Sequence, residues 1–124
     1  MNKSKKKKKL DKKLLKVWKE IAKNRDKRCK FCGSQNQLTV HHIISRKWKL
    51  KRYSPDNALT LCMYCHIEEK AQPKKFKEKV IKAIGETRYK KLQTYKKSYK
   101  PTIQELEEVL SKLKLINVKR KENE

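Results

Sequence analysis

Two cysteine pairs constrain the fold of this chain more than any other feature of its sequence. Cys29 and Cys32 are separated by two residues, and Cys62 and Cys65 repeat that spacing later in the chain. A two-residue spacer lets both thiolates of a pair face one metal ion from a tight turn, and two such pairs complete a tetrahedral zinc site. Four thiolates leave no open coordination position, so we expect this zinc to be structural.

Other uses of these cysteines fit their surroundings less well. Cys62-x-x-Cys65-His66 matches a haem attachment sequence, but neither export nor an apolar haem pocket is indicated. A zinc deaminase needs His-x-Glu upstream and a proline before the second pair, whereas Leu61 stands there. A redox pair belongs in a longer strand-helix-strand context. A zinc site that uses His66 in place of one cysteine remains an alternative, although it leaves two histidines unexplained.

The chain is too polar to be stabilised by a large apolar core. Charged residues make up 40% of its 124 residues, and the mean hydropathy is -1.08. A structural metal is an expected brace for such a chain. No apolar run follows the basic residues 5–9, so we expect no signal peptide and a cytoplasmic location in a bacterium or a phage-infected host. Cysteines in that compartment more often hold metal than form disulfides.

The net charge of +24 predicts a polyanionic partner. Like charges in this number destabilise a compact chain unless a polyanion neutralises them, and lysines that bind phosphates release counterions. Nucleic acid fits best, an anionic membrane is the alternative, and biased composition can also enrich lysine. No segment approaches the roughly 18 apolar residues of a spanning helix. We therefore expect no membrane partner, and nothing indicates a small-molecule substrate.

Apolar periodicity predicts a short core flanked by helices. Residues 1–9 are nearly all lysine or other polar residues and predict a disordered arm. A helical stripe covers residues 10–22, in which Trp18 and Ile21 are expected to pack in the core. Two short strands are predicted at residues 38–40 and 59–61, and a short helix follows the second to about Lys70.

Three more helical stripes are predicted after a break at Pro73. The first ends at Gly85, a C-cap, and the last begins at a capping box of Thr102 and Glu105. The chain therefore divides into a basic arm and helix at 1–28, a four-cysteine core at 29–72 and a helical basic extension at 73–124. The apolar residues of the three stripes are Phe76, Val80, Ile81 and Ile84; Tyr89, Leu92 and Tyr95; and Leu106, Val109, Leu110, Leu113 and Ile116.

All three histidines lie between the cysteine pairs or at their edge. His41 and His42 end the first strand, and His66 directly follows the last cysteine. A zinc site that clamps the two pairs together brings His66 back toward the other two. Adjacent strand residues point to opposite faces, so one histidine can face a metal ion while its neighbour takes a proton from water. This division of roles suits phosphodiester hydrolysis.

The segment that joins these residues closely resembles the zinc-containing HNH nucleases. The resemblance covers about residues 29–70, roughly a third of the chain. It implies a small zinc-braced core with the ββα-metal fold. Together with the helical stripes on either side, this predicts an α+β chain with one helix before the core and two or three after it. The matching elements are Cys29-x2-Cys32, Val40-His41-His42-Ile43-Ile44-x-Arg46 and Pro55-Asp56-Asn57-x-Leu59-x-Leu61-Cys62-x2-Cys65-His66.

The resemblance also implies a role for each of these residues. His41 and His66 look like the ligands of a catalytic metal, and His42 looks like the general base. Asn57 looks like the residue that fixes the loop between the strands, although a bare turn residue is the alternative. Lys70 lies one turn after His66, where some relatives carry another ligand, and a protonated lysine cannot ligate. Two protein ligands with water and phosphate oxygens favour Mg²⁺ or Mn²⁺ over tightly held zinc.

The basic loop after the histidines offers phosphate contacts. Arg46 is a candidate for a bidentate contact with phosphate, or else one solvated arginine among many. Trp48 and Tyr53 are interleaved with the basic residues, and anchoring of the loop is favoured over stacking on bases.

The predicted function is metal-dependent hydrolysis of DNA phosphodiester bonds by an HNH endonuclease. By resemblance, its products carry a 5′-phosphate and a 3′-hydroxyl. The alternatives are a non-catalytic zinc-containing nucleic-acid-binding protein and a nuclease that prefers RNA. The sequence is compatible with a homodimer or a phage packaging partner but assigns neither. It also does not distinguish a nick from a double-strand break, or a role in homing from one in packaging or host defence.

Overall fold

Five α-helices surround one two-stranded sheet in the computed structural model, which describes residues 2–44, 51–94 and 100–122. No helix in these ranges is long and apolar enough to cross a membrane. The α+β class is confirmed, with one helix before the core and three after it. The elements are α1 (Lys3–Asp26), β1 (Leu38–His42), β2 (Ala58–Cys62), α2 (Met63–Ala71), α3 (Pro73–Ile84), α4 (Glu86–Gln93) and α5 (Ile103–Glu122), with 3-10 turns at Lys51–Tyr53 and Pro55–Asn57.

The first helix begins earlier than the sequence analysis predicts. Because α1 starts at Lys3, the prediction of a disordered arm is wrong for residues 3–9. Asn2 caps the helix, and its side chain accepts a hydrogen bond from the Lys5 N–H at 2.9 Å. Lysine also has a high intrinsic helix propensity. A helix already anchored by its buried Leu14 and Trp18 therefore extends through the lysine run.

The sheet lies between α1 on one side and α2 and α3 on the other. Trp18 and Ala22 of α1 pack against Val40 and Ala58 of the sheet. A second cluster joins the sheet to α3, and a third joins α1 to α5. The buried residues of the second cluster are Cys29, Leu59, Leu61, Cys62, Phe76 and Val80. Those of the third cluster are Leu14, Ile21, Tyr53, Leu106, Leu110 and Leu113.

The two strands are antiparallel, and the alternation along β1 separates the two adjacent histidines. His41 pairs with Leu59 and all five residues of β2 are buried. His42 contacts Trp18 of α1, whereas His41 contacts His66 of α2. The two histidines therefore face different layers, as strand periodicity predicts.

A largely buried ion pair joins the end of α1 to β2. Arg25 donates to Asp26 at 2.8 Å and also to the carbonyl groups of Pro55 and Ala58. Asp26 in turn accepts from the Thr60 N–H at 3.0 Å. Burial raises the pKa of Asp26, but the hydrogen bonds from Arg25 and Thr60 outweigh burial and leave that pKa below its ordinary value. The network fixes α1 against the strand that leads to the second cysteine pair.

The predicted C-cap of α3 and the predicted capping box of α5 are confirmed. Gly85 ends α3 at a φ of 89°, and its N–H donates to the Ile81 carbonyl at 2.8 Å. The capping box of α5 is complete, because Thr102 and Glu105 each donate a backbone N–H to the other's side chain, at 3.0 and 3.1 Å. Tyr95, which the sequence places in the preceding helical stripe, lies outside the described residues.

Candidate functional site

The four cysteine thiols converge on one point. Their sulfur atoms all lie within 4.8 Å of one another, and Cys32 Sγ lies 3.6 Å from Cys62 Sγ. A zinc–sulfur bond of about 2.3 Å separates the sulfurs of a tetrahedral site by about 3.8 Å. None of the four forms a disulfide. The separations and the donor set therefore fit one tetrahedral metal ion.

The backbone around the first cysteine pair is shaped to stabilise a thiolate. The N–H groups of Phe31 and Cys32 lie 3.4 and 3.5 Å from Cys29 Sγ. Gly33, at a φ of 79°, closes the turn by donating its N–H to the Cys29 carbonyl at 2.9 Å. Burial raises the pKa of the Cys29 thiol, but the surrounding N–H groups outweigh burial and lower that pKa to about 6. The form of Cys29 that ligates metal is thus favoured at neutral pH.

The second pair lies at the junction of β2 and α2. Cys62 is the last residue of the strand, and Cys65 lies in the first turn of the helix. His66 is the next residue of the same helix. The cysteine cluster therefore also fixes the position of the helix that bears His66.

A second cluster of ligand atoms lies beside the sheet. Nδ1 of His41 is 3.3 Å from Nε2 of His66 and 3.7 Å from Oε2 of Glu69, and all three atoms lie within 4.8 Å of one another. His41 is buried, His66 half-buried and Glu69 exposed. The side chains of His66 and Glu69 line a surface depression of about 270 Å³. The cluster can therefore take further ligands from solvent.

Hydrogen bonding determines which nitrogen of His66 faces this cluster. Thr39 Oγ1 donates its single proton to the Leu61 carbonyl at 2.9 Å. It must then accept from Nδ1 of His66, which lies 2.9 Å away. Nδ1 carries the proton, so the lone pair of Nε2 is directed at the cluster, as a metal ligand requires.

His41 is also in its neutral form. Burial, followed by the nearby charges of His66 and His42, lowers the pKa of His41 to about 4. Its contact with Glu69 is therefore not an ion pair at neutral pH. Two imidazoles and one carboxyl group form a set of metal ligands.

Glu69 is the residue of this cluster that the sequence analysis missed. The expectation of two protein ligands came from Lys70, which stands four residues after His66. A position three residues on also lies on the same helix face, and Glu69 occupies it. The spacing of His66 and Glu69 in the sequence was the available indication.

His42 is held from two sides on the opposite face of β1. Its ring stacks on Trp18 with centroids 4.0 Å apart and 15° between the planes. Its Nε2 lies 2.9 Å from the Arg52 carbonyl. A carbonyl oxygen only accepts, so Nε2 carries a proton, which in the neutral ring leaves the lone pair on Nδ1. Trp18, itself buried as predicted, donates from Nε1 to the Ser54 carbonyl at 2.7 Å.

Asn57 is fully buried and connects the two ends of the loop after β1. Its Oδ1 accepts from the Ile44 N–H at 2.7 Å, and its Nδ2 donates to the Lys51 carbonyl at 3.1 Å. These contacts span the start and end of the segment 45–50. Arg46 and Trp48 belong to that segment and lie outside the described residues.

The turn that provides the Arg52 carbonyl is attached to α1. The hydroxyl of Tyr53 and the guanidinium of Arg52 donate to the two oxygens of Asp11, at 2.6 and 2.9 Å. Burial, with the Asp11 carboxylate, raises the pKa of Tyr53 and keeps its hydroxyl a donor. Tyr53 is buried and anchors the turn, as predicted.

Comparison with known proteins identifies part of the chain. Residues 29–72 match a family model described as HNH endonuclease. A search of the curated proteins found no match, and neither did a search of the solved structures. The matched residues contain both cysteine pairs, both strands and α2, whereas α1 and the last three helices lie outside them.

Proposed function

We propose that the chain is a metal-dependent endonuclease that hydrolyses phosphodiester bonds in DNA, because residues 29–72 match the HNH endonuclease family model. One observation carries the proposal. A solvent-open cluster of His41, His66 and Glu69 lies on one face of β1, and His42, held by Trp18 and the Arg52 carbonyl, lies on the other. The net charge of +24 supports a polyanionic substrate.

We propose that His41, His66 and Glu69 hold a catalytic Mg²⁺ or Mn²⁺. Of these, Mn²⁺ suits the two imidazoles better, because Mg²⁺ prefers oxygen ligands. A bound cation supplies stabilisation of the charge that develops on the scissile phosphate and the leaving oxygen. Thr39 orients the His66 ring, and burial keeps His41 neutral at working pH.

His42 acts as the general base in this proposal. Its Nδ1 takes a proton from the attacking water, while the Arg52 carbonyl fixes the tautomer and Trp18 fixes the ring plane. Water attacks phosphorus, and the bond to the 3′-oxygen breaks, which leaves a 5′-phosphate and a 3′-hydroxyl. The resulting imidazolium is stabilised by the same carbonyl and by the face of the indole ring. Asn57 holds Ile44 and Lys51, the residues on either side of the segment 45–50, in place.

The four thiolates hold structural zinc in this proposal. Their sulfur separations fit zinc, and a closed set of four thiolates leaves no position for water. The ion ties the loop at Cys29 to the start of α2, and thereby supports the position of His66. Reduced cysteines agree with a cytoplasmic location.

The second candidate is a zinc-containing nucleic-acid-binding protein without catalysis. The lysines and the four thiols serve that function equally well. A function limited to binding does not require the His41–His66–Glu69 cluster or the orientation of His42. The site geometry therefore favours hydrolysis.

The test is cleavage of supercoiled plasmid by the native chain with Mn²⁺, with Mg²⁺ and with neither ion. Single-stranded DNA and RNA serve as parallel substrates, and DNA affinity is measured in the same buffers. We expect plasmid cleavage that depends on the added ion. Tight binding with no cleavage of any substrate would support the binding protein instead, and cleavage confined to RNA would overturn DNA as the substrate.

A further inference from the structure

A basic groove lies between the start of α1 and the segment that precedes α5. It encloses about 520 Å³, and five of its lining residues are lysine or arginine against one acidic residue. It lies outside the two ligand clusters. The charged residues that line it are Lys3, Lys7, Lys8, Asp11, Arg52 and Lys100.

Lys3 and Lys7 of this groove occupy the face of α1 that is apolar further along the helix. The stripe that buries Leu14 and Trp18 continues toward the N-terminus through Asp11, Lys7 and Lys3 at helical spacing. A helix face that packs against protein carries apolar residues at these positions. Lysines in their place indicate an anionic occupant.

The acidic residue of the groove does not neutralise these lysines. Both oxygens of Asp11 are engaged, one by the Tyr53 hydroxyl and the other by the Arg52 guanidinium. Across residues 2–44, 51–94 and 100–119, no carboxylate pairs with the amino groups of Lys3 or Lys7 within 4.0 Å. The positive charge therefore faces the groove without an internal counterion from the described chain.

We propose that this groove binds the phosphate backbone of duplex DNA beyond the scissile phosphate, an inference that rests on DNA being the substrate. Arg52 connects the groove to the site, because its side chain lines the groove and its carbonyl holds Nε2 of His42 at 2.9 Å. The helix rises about 12 Å from Lys3 to Asp11. That length matches about three to four phosphates along one DNA strand.

The experiment compares two variants of the full chain. Each carries three lysine substitutions together with His42→Ala, which keeps the DNA uncut. The groove variant is Lys3→Ala, Lys7→Ala and Lys8→Ala. The control variant, Lys5→Ala, Lys6→Ala and Lys9→Ala, removes the same charge from the opposite face of the same helix. Alanine favours helix, so α1 is retained, and circular dichroism and zinc content verify the fold. Affinity is measured for a duplex that spans only the cleavage site and for one longer by a helical turn.

We expect the groove variant to lose the extra affinity for the longer duplex. The slope of log affinity against log salt should fall by about 3, since each phosphate contact contributes about 0.9. The control variant should change that slope by less than half as much.

Equal losses in the two triple variants would overturn the groove and leave only diffuse attraction. The proposal would also be overturned if the groove variant lost affinity for anionic vesicles but not for DNA, because these lysines would then bind a membrane surface. If the native chain fails to cut DNA while the groove variant still loses affinity for the longer duplex, the nuclease proposal is overturned and the groove proposal stands.

Discussion

At the residue scale, the chemistry of the site depends on how each imidazole is held in one protonation state. His41 is neutral because it is buried, and its pKa lies at about 4. The tautomer of His66 is set by Thr39, and that of His42 by the Arg52 carbonyl. In the proposed mechanism, these three local arrangements direct lone pairs toward a cation on one face of β1 and toward the attacking water on the other.

Glu69→Gln should weaken binding of Mn²⁺ to the second cluster by about 10- to 100-fold, because an amide replaces a charged ligand. Calorimetric titration of the zinc-loaded protein measures this. Glu68→Gln is the matched control, since the neighbouring Glu68 pairs with Lys79 at 2.7 Å and is not part of the cluster. Native affinity in the Glu69 variant would show that this carboxylate is not a ligand.

The sequence predicts the opposition of His41 and His42 because strand alternation is local. It does not predict Glu69, because the choice between the third and fourth residue after His66 depends on the angle at which α2 leaves β2. It also misses the stacking of Trp18 on His42, since the periodicity of α1 places Trp18 in the core without naming its partner.

At the scale of elements, α1 supports the site although it lies outside the matched HNH residues. It contributes the ring that stacks on His42 and the carboxylate that holds the turn at Arg52. Its end is joined to β2 through Arg25 and Asp26. Removal of α1 would therefore affect the position of His42 as well as the stability of the fold.

Asp26→Asn should reduce the free energy of unfolding by about 2–3 kcal/mol at neutral pH, because it leaves the Arg25 charge with a weaker partner. The pKa of Asp26 is lowered in the folded protein from its ordinary value of 3.8. Its contribution is therefore complete above that value and is lost as the pH falls through the lower, folded pKa.

Denaturant unfolding of the native chain and the variant over a range of pH checks this prediction. The difference between the two should narrow as the pH is lowered below about 4. Asp56→Asn, which changes an exposed carboxylate in the turn before β2, is the control. A difference that does not vary with pH would contradict the assigned role.

Local patterns predict the later helices well, because their ends are set by neighbouring residues. Gly85 and the pair of Thr102 and Glu105 are examples. The start of α1 is harder to predict, since repulsion among lysines opposes their helix propensity and the Asn2 cap. The contacts of Asp11 and Asp26 with residues far along the chain have no local pattern at all.

At the scale of the whole molecule, the residues that the structure describes form three small apolar clusters in place of one large core. The cluster that joins the sheet to α3 includes Cys29 and Cys62, so the cysteine site is continuous with the packing of α3 on the sheet. A net charge of +24 opposes compaction. A metal ion at the cysteines therefore has a large share in holding the core together.

Removal of zinc should unfold the core, because metal binding and folding are linked in domains of this kind. A thermal melt followed by circular dichroism, before and after chelation, is the measurement. Zinc added back should restore the transition, whereas Mg²⁺ should not. A zinc-free sample that keeps its cooperative melt would contradict the structural role of the ion.

The most direct test of the central claim is single-turnover DNA cleavage by His42→Ala with Mn²⁺, with and without added imidazole. The account predicts a rate about 10²- to 10⁴-fold below that of the native chain, with unchanged zinc content and DNA affinity. Imidazole that enters the space beside Trp18 should restore part of the rate in the variant and leave the native rate unchanged. Cleavage by His42→Ala at the native rate would contradict the account.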